Sequence, residues 1–256
     1  MKKKQRMKGI ALLLPLILLM PNILWAQGAA SKKRILVDIA HSQRFYNDPA
    51  LMDKRDTAMV ERIKYMTGAL AKNAAALHAE MQFHKEKITA DALAKCDLLF
   101  IHMPASRFDE SETAAIRNYL QKGGSLFIVM EVDYWATLAQ ANVNDLVSPF
   151  GIMYKENNPD NKSSGGYTKE GTVTGKRFSI PYHGARMVEG GTPFCYSNQT
   201  EVNPFGIYKE VGDGGRIIAM GDGMVSLYMT SWEGVTNYQC SEFMHDALAW
   251  LLKKDK

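Results

Sequence analysis

Carboxylates and histidines stand just past four short apolar runs of this chain. Asp38, His41 and Gln43 follow Ile35–Val37. His102 follows Leu98–Ile101, Glu131 and Asp133 follow Leu126–Met130, and Asp222 follows Arg216–Met220. Groups of this kind can hold a polar ligand by hydrogen bonds. They can also share general acid–base work when one carboxyl is pushed above the other, or coordinate a cation. In the plainer structural reading, Asp38 and His41 bond loop backbone and Asp222 caps a turn. Tyr134, Trp135, Tyr228, Trp232 and Tyr238 lie beyond these runs or before the last helix, with Asn237 and Gln239 beside them. Aromatic faces next to carboxylates suit stacking on a sugar ring, although any one of them alone reads as loop packing. The catalytic candidates are Glu131, Asp133, Asp222 and His41. The ligand-binding set is Asp38, His41, Gln43, His102, Glu131, Asp133, Tyr134, Trp135, Asp222, Tyr228, Trp232 and Asn237.

The elements that must position these groups centre on residues 95–135. Leu98–Ile101 and Leu126–Met130 read as strands buried on both faces, as in a parallel sheet. Between them Phe108, Ala115, Ile116, Tyr119 and Leu120 recur at helical spacing. Asp109, Glu110 and Glu112 suit the positive end of that helix, and Lys122-Gly123-Gly124 ends it. The result is a βαβ unit with a right-handed crossover. Before it come a strand at 35–37, a helix capped by Asp56 or Thr57, a weaker strand at 80–84 and a short helix at 88–94. After it come a helix from Leu138 to Val147 stopped by Pro149 and Gly151, then a short strand at 152–154. Residues 156–166 read as a mobile surface loop. Thr172–Thr174, Phe178–Ile180, Phe194–Tyr196 and Phe205–Glu210 read as β-like pieces added to the sheet. A tight hairpin at Gly212–Gly215 leads into Arg216–Met220, and Phe243, Ala247, Leu248, Leu251 and Leu252 mark a closing helix. In a parallel sheet all C-terminal strand ends gather at one edge. His41, Glu131 and Asp222 are therefore expected in one concave, partly exposed pocket, roofed by the loop around Tyr228 and Trp232. Cys96 is expected at the opposite pole.

Residues 1–26 read as a secretory signal peptide: basic MKKKQRMK, apolar GIALLLPLILLM, and cleavage near Ala26. The apolar core is short for a membrane span of about 20 residues. Membrane contact is thus expected only through an uncleaved leader, and the destination is periplasmic or secreted. The leader carries five cations and no acid, so a net charge of +4 becomes −1 without it. The basic pI of 8.8 is then no argument for nucleic acid. Cys96, Cys195 and Cys240 form no zinc or redox spacing, and buried free thiols are the expectation over a Cys195–Cys240 bridge. The Gly-rich runs lack a phosphate-binding motif. No cofactor and no metal site are expected.

LVDIAHSQRF, then DESETAAIRNYLQKGGSLFIVMEVDYW with LVSPFGI, then GGRIIAMGDGMVS before a closing helix together resemble the class I glutamine amidotransferase-like superfamily. The nearest branch is the secreted group related to the domain of gliding-motility and intraflagellar-transport proteins. The resemblance spans most of residues 34–252 and rests on the order and spacing of loose motifs. It implies an α/β, flavodoxin-like, mostly parallel sheet sandwiched by helices. The expected organisation is a single domain over 34–254, with a loop-rich elaboration at about 156–212. Catalytic relatives place a nucleophile cysteine after the strand matching Leu126–Met130, where this chain has Glu131-Val132-Asp133, and no Gly-x-Ser-x-Gly elbow replaces it. Three functions are compatible: an exported non-amidotransferase domain binding a polar small molecule or glycan, a carbohydrate-active hydrolase using strand-end carboxylates, or an envelope scaffold for a protein partner.

Overall fold

The computed structural model describes residues 32–132, 135–183, 185–223 and 237–253. Of the candidate residues, Asp133, Tyr134, Tyr228 and Trp232 lie outside that range. Lys33–Asp38 is β1, followed by α1 (Thr57–Ala76), β2 (Ala79–His84), the single-turn α2 (Ala90–Leu93), β3 (Leu98–His102), α3 (Glu110–Gln121) and β4 (Ser125–Val129). Each step has a local cause. Asp56 accepts from Met59 N at the head of α1, and Thr89 caps α2. Asp109 and Glu112 form a reciprocal capping box on α3.

The remaining elements are α4 (Leu138–Ala141), α5 (Val143–Val147), β5 (Met153–Tyr154), β6 (Gly166–Thr168), β7 (Ser179–Ile180), β8 (Val188–Glu189), β9 (Thr192–Ser197), β10 (Gly206–Val211), β11 (Gly215–Met220) and α6 (Cys240–Leu251). Among the described residues nine strands form one sheet in the order β2-β1-β3-β4-β11-β10-β9-β6-β7. The first five run parallel, and antiparallel pairing begins at β10. The result is a mixed α/β fold. β5 and β8 form a separate two-stranded sheet.

Alternation along the parallel strands explains why both faces are covered. Ile35, Val37, Phe100, Phe127, Val129, Ile218 and Met220 pack with Met66, Leu70, Phe243, Ala247 and Leu248 of α1 and α6. Leu36, Leu99, Ile101, Leu126, Ile128, Ile217 and Ala219 pack with Leu93, Ile116, Leu120, Leu146 and Val147 of α2, α3 and α5. Residues from Lys32 onward form one compact unit. Among the described residues no helix is long and apolar enough to cross a membrane.

Three local expectations are corrected. The helix read over 138–147 is two helices, because Asn142 turns left-handed at φ 41°. Its side chain bonds both Phe108 N (2.9 Å) and Phe108 O (3.1 Å), which fixes the break. Thr172–Thr174 is bend, not strand. The short strand read at 152–154 is present as β5, paired with β8. Residues 156–166 are not simply a surface loop: Asn158 and Asp160 are buried there. Asp160 accepts from Asn203 Nδ2 at 3.1 Å and Ser197 Oγ at 3.3 Å, and its carbonyl accepts from Tyr182. All three cysteines are free.

Candidate functional site

Parallel register brings the strand ends to one edge of the sheet. Val129 pairs with both His102 and Met220, and Glu131 and Asp222 each follow two residues later. Those two carboxyls are therefore neighbours although 91 positions separate them in sequence. Asp222 is fully buried and accepts from His183 N at 2.7 Å. Glu131 is 8% exposed. Burial, reinforced by the Asp222 charge, pushes its carboxyl up to about 7, against relief from Gly223 N, Arg44 and Arg186. At neutral pH this carboxyl is poised between its two protonation states.

Two arginines frame the pair. Arg186 is completely buried. Its Nε donates to Glu131 O at 2.6 Å, and an Nη donates to Glu156 O at 2.7 Å. Arg44 stands between the rings of Phe45 (5.3 Å) and Trp135 (5.1 Å). Trp135 is 39% exposed and so offers part of its ring to solvent. The edge is built tightly. A β-carbon on Gly223 would stand 2.8 Å from Glu131 Oε2 and 2.4 Å from Met103 Sδ, while one on Gly221 would meet Arg186 O at 2.0 Å. Gly221→Ala is accordingly expected to push the Arg186 backbone off β11, at a cost of about 1–3 kcal/mol. Thermal denaturation measures the loss. A midpoint equal to wild type would show that the contact relaxes freely.

His41 makes its hydrogen bonds to Asp38 and Glu112 rather than to Glu131 or Asp222. Its Nδ1 lies 2.9 and 3.0 Å from the two Asp38 oxygens, and its Nε2 lies 3.4 Å from Glu112. The ring stacks on Phe108 with centroids 3.7 Å apart. Burial works to lower the His41 pKa, yet the bond and charge of Asp38 and the charge of Glu112 outweigh it and leave it raised. Glu112 is held by Ile88 N and Asp109 N, both at 2.9 Å.

His102 is fully buried in an aromatic box of Phe45, Tyr46 and Phe100. Neither ring nitrogen has a hydrogen-bond partner among the described residues. Burial drives its pKa down to about 3, so the ring is neutral. Gln43 is buried too. Its Nε2 donates to Tyr46 O at 3.3 Å, while its Oε1 has no partner among the described residues. Asn237 is exposed, and Gln239 is occupied by Ser179 N.

Three contributors escaped the sequence reading. Glu112 carried a usable signal, since it stands three residues after Asp109 as the closing member of a capping box. Arg44 sits in a loop without periodicity. Arg186 sits in the irregular second half, where no pattern marks it as buried.

No thiolate is available for covalent chemistry among the described residues. Cys96 lies at the opposite end of the strands, in a cavity of about 350 Å³ lined in part by Lys33, Asp97, Tyr119 and Lys253. Burial pushes its thiol up to about 11, and pushes Cys195 and Cys240 well above their usual range. Among the described residues no group of three or more His, Cys, Asp or Glu is arranged to hold a metal ion.

The family model for the IFT52 GIFT domain matches residues 60–164. Solved structures extend the likeness over most of the chain. The mmIFT52 N-terminal domain is 14% identical with a TM-score of 0.58, covering 88% of this chain and 99% of its own. A cytoplasmic protein from Salmonella typhimurium is 12% identical with a TM-score of 0.54, over 86% and 98%. A β-galactosidase from Rahnella sp. R3 is 14% identical with a TM-score of 0.51, over 87% of this chain but 31% of its own. At these identities the likeness speaks for the fold. No curated protein sequence matches the chain.

Proposed function

We propose that this chain is an exported, non-amidotransferase domain that holds a polar small molecule or glycan at the C-terminal ends of its parallel strands. The carrying observation is the Glu131–Asp222 pair, with the Glu131 carboxyl pushed up by burial beside Arg44 and the partly exposed Trp135. Hydrogen-bonding groups next to an aromatic face are what a sugar or similar polar ligand requires. The five parallel strands follow the order 2-1-3-4-5 when counted among themselves, which supports a flavodoxin-like core. That order, with the IFT52 GIFT match, supports membership of the glutamine amidotransferase-like superfamily. The stretch Met130-Glu131-Val132-Asp133, which has no cysteine where catalytic relatives carry the nucleophile elbow, argues against glutaminase chemistry. The basic and apolar leader supports export to the periplasm or beyond.

The test is a thermal-shift screen of the protein beginning at Gln27 against saccharides and polar metabolites. Stabilisation by one chemical class is expected, with affinity reduced roughly tenfold or more in Glu131→Gln and in Trp135→Ala. No stabilisation, or stabilisation untouched by both changes, refutes the ligand site. Release of reducing sugar, abolished by Asp222→Asn, would instead establish the hydrolase reading, which the paired carboxyls also permit. A scaffold for an envelope protein is the second reading. It is supported by the mutual bonding of Asp38, His41 and Glu112, which turns these groups towards one another rather than towards a small ligand.

A further inference from the structure

We propose that His41 is a proton-operated clasp that joins the end of β1 to the head of α3 and so holds the 42–47 segment against the strand-end pole. A neutral imidazole has one N–H and one lone pair, whereas carboxylates only accept. Nδ1 of His41 faces Asp38 and Nε2 faces Glu112. Only the doubly protonated ring can donate at both places. A ring that loses a proton turns a lone pair towards one buried carboxylate, and that contact becomes repulsive.

What the clasp holds is strained. Ser42 and Tyr46 both have left-handed backbones, at φ 56° and 53°, in a segment without glycine. Such geometry persists only where the surroundings enforce it. The ties include Ala105 N to His41 O at 2.8 Å, Asn47 Nδ2 to Gln43 O at 2.7 Å, Gln43 Nε2 to Tyr46 O at 3.3 Å, the packing of Phe45 and Tyr46 around His102, and the His41 ring itself. The same segment carries Arg44 and Phe45 to the Glu131 edge.

Charged groups reach His41 from each side. Asp38 comes from β1 and Glu112 from α3, while Phe108 packs on the ring face. Asp109 gives its backbone N–H to Glu112 and takes Lys87 Nζ on its carboxylate at 2.5 Å. The Lys87 ammonium, from the link between β2 and α2, also feels the Glu112 charge. With the folded pKa raised above 6.5, the stabilisation is complete below pH 6.5 and is lost as the pH rises through the folded value.

The clasp stands or falls without any ligand, so its test is separate from the binding screen. The His41 ring is titrated by NMR, and amide-exchange protection over residues 42–47 is followed on the same samples. A midpoint above 6.5 is expected, with protection falling as the pH passes it, by roughly tenfold for each pH unit that separates the midpoint from 6.5. Glu112→Gln keeps the capping box, because glutamine serves at that position. It is expected to lower the midpoint. His41→Gln is expected to make protection at 42–47 independent of pH. A wild-type midpoint at or below 6.5, protection that ignores the titration, or a midpoint unmoved by Glu112→Gln overturns the proposal.

Discussion

Replacing Arg186 with methionine is expected to destabilise the fold by about 3–5 kcal/mol, the range for removing one partner of a buried charged network. Methionine can refill much of the space but donates nothing. Glu131 O and Glu156 O lose their donors, as does Lys155 O at 3.3 Å. A buried carbonyl left bare costs about 1–3 kcal/mol. Arg186→Lys keeps the charge but not the planar fork, and is expected to recover a minority of the loss. Urea denaturation of the two variants measures both numbers. A methionine variant within about 1 kcal/mol of wild type would show that the guanidinium is dispensable to this edge. The same change also removes a cation that favours ionised Glu131, so that carboxyl should titrate higher still.

Glu131→Gln is expected to act in the opposite direction. The folded carboxyl sits near 7 against 4.5 in the ordinary state. Its contribution to stability is therefore complete below about pH 4.5 and is lost as the pH rises through about 7. A tenfold change in proton affinity corresponds to about 1.4 kcal/mol, so about 3 kcal/mol disappears between those limits. Glutamine does not titrate. The variant should gain on wild type as the pH rises and be more stable by about 1–3 kcal/mol at pH 8. Thermal or urea unfolding between pH 5 and 8.5 provides the comparison. Parallel curves for the two proteins would assign the strain to another group.

The parallel half of the fold was legible because burial on both faces leaves an unmistakable record. Leu98–Ile101 and Leu126–Val129 have no polar residue, and the strands found there are fully buried. The α3 boundaries were equally plain, since Asp109 and Gly123 carry the start and stop chemistry in their side chains and backbone freedom. Topology then placed Glu131 beside Asp222 without any local signal linking them. The limits were of two kinds. Asn142 splits a periodic run because its side chain finds both backbone groups of Phe108, a tertiary contact that periodicity cannot foresee. His41 bonds Asp38 and Glu112 because the capping-box carboxylate points back towards β1, and His102 is a buried core ring, two tertiary placements that spacing alone does not carry.

The position of β11 governs the order in which the molecule can assemble. Ser125 pairs with Arg216, 91 positions later, and among the described strands β11 is also the only link from β4 to the antiparallel ones. Loop closure over that span precedes any gain from the β4–β11 pairing, which makes this a slow contact to form. Until residues 215–220 arrive, SLFIV of β4 presents an unpaired, almost wholly apolar border. A chain truncated before Gly215 would keep that border open permanently and should self-associate through it rather than persist as a shortened monomer.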